Sequence, residues 1–562
     1  MRELFLLIVP VALAASVKIN INAASQQGNL THTYRFFGAD EPNYAYYPDG
    51  QALISELGQL GPAQTYFRTH NLLTTGPGYP ALKFGSTNAY TEDANGNTIY
   101  NWTIIDRIFD SYLQRNVKPY AQIGFMPLAL SSHPYPYFFN FTPTSPYDVI
   151  YTGWSYPPTS YEKWGELVYQ WVKHSVERYG EAEVNSWYWE VWNEPNINYW
   201  NGSVQEFYKL HDYAIANVRR ALPSARVGGC EVAGGPAGTY LGDFLNHTLL
   251  GQNYATGEIG TPLDFASFHA KGSPNYINDS SIASGGYVQM GISAQLQNIN
   301  DAFGVISSFP SVKDLPIVIG EDDPDGCAAC VNPQYGYRNG LLYPSYTAAA
   351  FVRAIDLSAK YGVNLQGTLT WAFEYDDHAY FDGFRVLSTN QIDKPVLNIH
   401  RMFGKMSGQR IEANSSGQVP LETAVASGIN GSQTDVGVLA SFNSTTNALY
   451  AFIWHYHDDD LPKPDAQIDV QIQGLPQDSE LANCEARLTH YRIDLEHSNS
   501  YQKWLQMGSP QNPTEQQYSE LKAAGMLQAL GTPQRVSVEG GRASISLSLP
   551  IHATSLLVLE MN

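Results

Sequence analysis

The sequence predicts an α/β fold, a (β/α)8 TIM barrel followed by a C-terminal β-sandwich, on two observations. Between Arg35 and Tyr375, eight short β-branched or aromatic runs alternate with stretches of helical period. After about Met406 the texture changes to alternating residues bounded by turn signals. At 562 residues the chain exceeds what one hydrophobic core organises, so a large domain with a smaller companion is expected.

Residues 1–15 are expected to be a signal peptide: Arg2 gives a charged start, Leu4 to Ala14 is apolar, and Ala12-Leu13-Ala14 supplies small residues for cleavage. That run is too short to span a membrane, and no second apolar stretch is long enough to anchor the chain. The barrel is assigned to 16–405. Its strands are expected at Arg35 to Ala39, Thr65 to Asn71, Lys118 to Phe125, Ser186 to Glu194, Ala225 to Val232, Leu263 to His269, Pro316 to Glu321 and Leu365 to Phe373. Between strands three and four, Thr159-Ser-Tyr-Glu162 reads as a capping box, and Trp164, Leu167, Val168, Trp171 and Val172 then repeat along one helical face. Ser203 to Glu206 opens the next helix in the same way. Residues 406–562 form the sandwich, with strands at Val436 to Phe442, Leu449 to His455, Ile468 to Ile472, Ala486 to Ile493 and along Ser544 to Glu560. A helical insertion at Pro513 to Leu530 interrupts it, and the strand-like segment within 16–30 is a candidate to return to it.

Composition narrows the function. A formal charge of -21 and the lack of a Lys/Arg run argue against nucleic acid or other polyanions and suit a neutral carbohydrate substrate. Acceptor triplets for N-glycosylation begin at Asn29, Asn101, Asn140, Asn201, Asn246, Asn278, Asn414, Asn430 and Asn443; so many together favour a secretory, extracellular route. Four cysteines, Cys230, Cys327, Cys330 and Cys484, are too few for a disulfide framework, but Cys327-Ala-Ala-Cys330 could form a local bridge.

In such a barrel, residues that act on substrate project from the carboxyl ends of the strands. Strand four reads Trp187-Tyr-Trp-Glu-Val-Trp-Asn193-Glu194-Pro195, and Pro195, having no N–H for the ladder, is expected to set Glu194 at the rim. Strand seven reads Pro316-Ile-Val-Ile-Gly320-Glu321-Asp322-Asp323-Pro324, with Glu321 its first rim residue. Carboxylates on strands four and seven would face each other across the barrel mouth, as retaining glycoside hydrolysis requires at about 5–5.5 Å. One must carry a proton for the leaving oxygen while the other, ionised, attacks the anomeric carbon; Trp189, Trp192 and Trp371 are candidates for the apolar wall that separates these states. Either glutamate alone would read as a cap on a loop N–H. Together, with Asn193 beside one of them, they read as acid/base (Glu194) and nucleophile (Glu321), a chemistry that needs no metal or other cofactor. His70 and His269 end strands and could bind sugar hydroxyls or simply satisfy barrel hydrogen bonds, while Trp371 and Glu374 end strand eight, where an aromatic could stack on the sugar or pack beneath it. His455-Tyr-His457-Asp458-Asp-Asp460 looks like a ligand cluster but is expected to be a solvated turn.

Glu190-Val-Trp-Asn-Glu-Pro195 resembles the acid/base motif of glycoside hydrolase family 39, which contains β-xylosidases and α-L-iduronidases. Phe67-Arg-Thr-His70-Asn-Leu-Leu, Gly124-Phe-Met-Pro127, His497-Ser-Asn-Ser-Tyr, Trp504 and Met507-Gly-Ser-Pro510 extend the resemblance over nearly the whole chain. It implies Glu194 as acid/base, Glu321 as nucleophile, and Asn193 as the partner of the sugar's 2-hydroxyl. Ser267-Phe-His269-Ala-Lys271-Gly272 carries lysine where the family's xylosidases usually have tyrosine, and both it and Glu321-Asp-Asp-Pro324 resemble the iduronidases. The resemblance therefore also implies Lys271, with Arg385 after strand eight, as anchors for a uronate carboxylate; the rival reading pairs Lys271 with Asp323 or Glu374. Met507-Gly-Ser-Pro510 resembles the xylosidases instead. The expected function is an exo-acting retaining hydrolase that releases a terminal pentose, β-D-xylose or α-L-arabinofuranose, from plant-wall oligosaccharides. Its rivals are a uronosidase resembling α-L-iduronidase and a non-catalytic carbohydrate-binding barrel.

Overall fold

The computed structural model describes residues 16–476 and 483–561, so the expected signal peptide lies outside the described residues. Eight parallel strands form a ring: Phe36–Ala39, Thr65–Thr69, Val117–Ile123, Tyr188–Val191, Arg226–Val232, Phe265–Lys271, Pro316–Asp323, and an eighth in two pieces, Asn364–Thr368 and Thr370–Trp371. The break at Leu369 lets the first piece pair with strand seven and the second with strand one, which closes the barrel.

The two-residue period of the strands decides what fills the ring. Phe36, Tyr66, Tyr120, Tyr188 and Phe265 meet inside it as a floor of packed rings, with Phe36 and Tyr66 stacked at 5.2 Å and Tyr66 edge-on to Tyr188 at 4.9 Å. Two residues further along strands two and four, the same faces carry Arg68 and Glu190, which bond each other. Their neighbours point outward. Trp189 meets Trp171 of the helical layer at 5.2 Å, and Trp192 packs between Phe125 and Trp200, so neither forms the wall between the carboxylates expected from sequence.

The helix Tyr161–Tyr179 buries Trp164, Leu167, Val168, Trp171 and Val172. Its cap is Ser160, whose hydroxyl accepts from Lys163 N at 3.2 Å. The box expected from Thr159 does not form, because the backbone N–H of Thr159 is already committed to Leu130 O at 2.8 Å. The helix Val204–Ala221 does open with a capping box, from Ser203 to Glu206.

A ten-stranded sheet lies beyond the barrel and curls over its own apolar cluster, which includes Ile21, Val438, Ile453, Val470 and Leu557. Val17–Asn29 pairs antiparallel with Gln409–Ser415 and parallel with Ala466–Gln473. The long alternation near the end of the chain is two strands, Ala543–Leu549 and Thr554–Met561, separated at Pro550, which has no N–H to continue the ladder. The insertion carries the helices Ser500–Gln506 and Glu515–Gly525. The two sheets' domains are joined by a buried Arg353–Asp435 pair at 2.8 Å and by Phe403 against Phe452 at 4.7 Å. His455 to Asp458 is not the solvated turn expected. It is buried at this seam, where Asp458 accepts from Ile429 N (2.7 Å) and the Tyr456 hydroxyl (2.6 Å), and polar groups so enclosed must be paired. A disulfide joins Cys327 to Cys330, Cys230 is buried and free, and the side chain of Cys484 lies outside the described residues. No helix among the described residues is long and apolar enough to cross a membrane.

Trp171 has no exposed surface, so Trp171→Ala is expected to lower unfolding stability by about 3–5 kcal/mol, whereas Ser203→Ala, which loses a cap, costs about 1 kcal/mol. Urea midpoints of the purified variants measure both.

Candidate active site

The ladder of strand four stops at Val191, short of Glu194. Pro195 is not what ends it: Trp192 and Glu194 both adopt left-handed backbone, φ 72° and 42°, a conformation that breaks strand geometry. Glu194 N donates instead to Glu231 O at 2.9 Å, so the acid sits on a kinked stub tied to strand five. Strand seven behaves oppositely, running on through Asp323 with a register shift between Ile319 and Glu321 that sets Glu321 beside His269 of strand six. Glu194, His269 and Glu321 each present a side-chain atom, and those three atoms lie within 4.8 Å of one another.

Arg68, with no exposed surface, holds this cluster from below. It donates to Glu190 Oε1 (2.5 Å), Glu321 Oε1 (3.2 Å) and Asn193 Oδ1 (3.0 Å), and Glu231 Oε2 lies 3.8 Å away. Burial opposes the guanidinium's charge, yet Glu190, Glu231 and Glu321 together keep its pKa well above the ordinary value. Burial likewise favours neutral Glu321, but Lys271, His269 and Arg68 outweigh it and hold this carboxyl well below the usual carboxylate range. Lys271 Nζ lies 2.7 Å from Glu321 Oε2 and also bonds Asp323. His269 is clamped at both nitrogens, Nδ1 to Glu194 Oε1 and Nε2 to Glu231 Oε2, each at 2.8 Å. Burial works against its charge, but the carboxylates of Glu321, Glu194 and Glu231 lift its pKa to about 9. With an imidazolium, Lys271 and Arg68 all turned towards these acids, the cluster already has its counter-charges and is poorly suited to bind a metal cation.

The other residues singled out from sequence divide. His70 joins the cluster: Nδ1 lies 2.9 Å from Asp40 Oδ1, its ring centroid 4.4 Å from that of Trp371, and burial keeps its pKa below the ordinary value. Trp371 packs beside His70, held by an Nε1 bond to Asp40 at 3.3 Å with the Arg68 guanidinium over its ring at 5.1 Å. Lys271 takes the Asp323 pairing. Arg385 is 1% exposed and lies 3.4 Å from Asp323 and 3.0 Å from Asp325, sealed behind the loops and unlike the open carboxylate anchor expected. Glu374 is a further correction. It has no exposed surface, accepts from Gln391 N at 2.6 Å and bonds Ser388, because the chain folds back after strand eight and pairs Leu387 N with Phe373 O.

Sequence reasoning missed Asp40, Lys83, Arg68 and Glu231. Asp40 ends strand one and holds His70, Trp371 and, at 2.5 Å, Lys83 from the loop after strand two. Arg68 and Glu231 had a signal, since each is a buried charge inside a barrel strand whose other residues, apart from Arg226 at the start of strand five, are apolar or small. Asp40 and Lys83 lie at a strand end and in an aperiodic loop, where nothing marks them.

A closed (β/α)8 barrel whose mouth brings a partly open carboxylate and an ionised one this close defines a retaining glycoside hydrolase. Residues 17–540 match the family model "Glycosyl hydrolases family 39", and the chain belongs to that family. It is 26% identical over 438 residues to a beta-xylosidase of Caldicellulosiruptor saccharolyticus, covering 77% of this chain and 78% of the relative. It is 24% identical over 492 residues to an alpha-L-iduronidase of Mus musculus, covering 82% and 68%. The crystal structure of a monomeric beta-xylosidase from Caulobacter crescentus CB15 superposes with a TM-score of 0.72 at 19% identity, covering 97% of this chain and 99% of that one.

The raised pKa of His269 has a consequence for stability. A histidine bound more tightly to its proton when folded stabilises fully below its unfolded value of 6.5, and that contribution is lost as pH rises through about 9. Thermal melting of the wild type and of His269→Gln should therefore converge between those limits, the wild type losing its advantage on the alkaline side.

Proposed function

We propose that this chain is a secreted, N-glycosylated exo-glycosidase that removes a terminal pentose, β-D-xylose or α-L-arabinofuranose, from plant-wall oligosaccharides, with Glu321 as nucleophile and Glu194 as acid/base. The observation that carries the assignment is the separation of the two acids, with Glu321 the deeper and ionised partner. In the first step the Glu321 carboxylate attacks the anomeric carbon while the Glu194 carboxyl gives its proton to the departing oxygen; Arg68 and Lys271 keep the nucleophile charged and aimed until the sugar arrives. In the second, Glu194, now a carboxylate, takes a proton from water, which attacks the same carbon from the face the leaving group vacated and releases the sugar with its original configuration. Trp371, His70 and Asp40, which contact one another, would flank the sugar ring on this reading, and Asn193, held by Arg68, would meet its 2-hydroxyl.

Charge supports a neutral sugar. Lys271 is already bridged by Glu321 and Asp323, and Arg385 by Asp323 and Asp325, so a uronate carboxylate would have to compete with buried acids for both cations. The uronosidase reading keeps support from the partial exposure of Lys271, 16% of its side chain, beside the nucleophile and from the iduronidase relatives. The intact acid pair speaks against a non-catalytic binding protein. Secretion is supported by the Cys327–Cys330 bridge and by the acceptor asparagines, of which seven are exposed and two, Asn201 and Asn443, half-buried.

Nitrophenyl xyloside, arabinofuranoside, iduronide and glucuronide distinguish the readings. Turnover of a pentoside with retention at the anomeric carbon, followed by proton NMR, is expected; turnover of a uronide alone would reject the pentosidase. Glu194→Gln and Glu321→Gln should each lower the rate by several orders of magnitude, and hydrolysis indifferent to both would remove the assignment.

A further inference from the structure

We propose that Glu231, a buried glutamate on strand five, is a positioning residue for the proton transfer: it fixes His269 so that the Nδ1–H of that ring stays directed at Glu194. The inference rests on the reading of Glu194 as acid/base. It stands on a chain of contacts from the barrel floor to the cleft: the Tyr120 hydroxyl donates to Glu231 Oε1 at 2.9 Å, His269 Nε2 meets Glu231 Oε2 at 2.8 Å, and His269 Nδ1 meets Glu194 Oε1 at 2.8 Å.

The surrounding backbone is shaped to admit this carboxylate. A Cβ added at Gly320 would lie 1.7 Å from Glu231 Oε2, so the residue before the nucleophile has no side chain where the Glu231 carboxylate sits. Glu231 itself adopts left-handed backbone, φ 53°, its N–H donating to Ser267 Oγ at 3.3 Å while its carbonyl accepts from Glu194 N. One residue therefore holds the acid/base twice, through the backbone and through the histidine. Strain of this kind in a non-glycine residue is retained where the surroundings over-determine it, commonly at functional sites.

The charged and titratable groups that act on the Glu231–His269 pair come from the strands around it: Arg68 from strand two, Tyr120 from three, Glu190 and Glu194 from four, Cys230 next to Glu231 in five, and Glu321 from seven. Among them the charges sort. Burial, reinforced by Glu231, lifts Glu190 well above the usual carboxylate range in spite of Arg68. Burial pushes Glu231 the same way, but the Arg68 guanidinium and the hydrogen-bonded His269 hold it well below. Glu231 is thus the anion that faces the imidazolium. With both ring nitrogens protonated, Nδ1 can only donate; if it lost its proton it would become an acceptor and tie up the proton that Glu194 must deliver to the leaving group.

The full-length enzyme tests this with Glu231→Gln, which can keep a hydrogen bond to Nε2 but removes the charge. Removing a negative charge loosens every nearby proton, so both limbs of the kcat/KM profile are expected to move to lower pH, by about one unit. At pH 8 the variant should lose about tenfold or more in kcat/KM on an alkyl xyloside, whose leaving group needs a proton, and several-fold less on 2,4-dinitrophenyl xyloside, whose leaving group does not. Glu231→Asp restores the charge and should return the limbs towards their wild-type positions even if the rate stays reduced. A profile unmoved in Glu231→Gln, or equal losses on both glycosides, would assign Glu231 a merely structural part and overturn the proposal. Should Glu231→Gln fail to fold, nitrogen NMR of 15N-histidine-labelled wild type reads the ring directly: His269 protonated at both nitrogens at pH 8 supports the assignment, and a neutral ring at pH 7 refutes it. A wild type inactive on both glycosides would overturn the glycosidase reading, and this proposal with it.

Discussion

Arg68 lies at the centre of the barrel without exposed surface, surrounded by Glu190, Glu231 and Glu321, and three acids could not be enclosed together without a cation among them. Each of its nitrogens is used: one for Glu190, one for Glu321 and His70, one for Asn193. A planar, permanently charged fork can do this, and the flexible point charge of a lysine could not. The guanidinium therefore does two things at once. It offsets the cost of burying the polar layer above the aromatic floor, and it orients both Glu321 and Asn193.

From that centre, alternating charges run outward along the barrel mouth. Glu321 leads to Lys271, Lys271 to Asp323, Asp323 to Arg385, and Arg385 to Asp325, which Arg338 grips at 2.9 Å while also donating to the carbonyls of both bridged cysteines. The loop after strand seven is thereby tied at once by a covalent bridge and by a buried ion network. On the opposite side, Asp40 joins Lys83, His70 and Trp371. The cleft is thus rigid on both flanks, and Glu194, whose side chain is 14% exposed, is the most open of its acids. In the proposed assignment, a proton donor that must meet a leaving group needs that openness, and a nucleophile that attacks from beneath the ring does not.

Much of this was legible in advance. The strand and helix periods gave the barrel, the switch to alternation gave the sandwich, and Asn193-Glu194 with Glu321 marked the acid pair because strand ends are where a barrel displays its chemistry. Glu374 and Arg385 were misplaced for one reason: both follow strand eight, and whether a residue there faces the cleft depends on how the chain turns back, which Phe373 and Leu387 settle by a long-range backbone bond. The capping box at Thr159 failed in the same way, because Leu130 had claimed its N–H.

Periodicity and strand-end position are local properties that survive into any packing of these elements, so the class of fold and the two glutamates that meet at the barrel mouth could be read from the chain alone. Which charges neighbour which, by contrast, follows from the packing of distant strands. Lys271 with Asp323, His269 between Glu194 and Glu231, and Gly320 yielding its space to a carboxylate from another strand are relations between residues far apart in the chain. They arise from the stagger and closure of the barrel, where a register shift of one residue in strand seven determines whether Glu321 meets His269 at all.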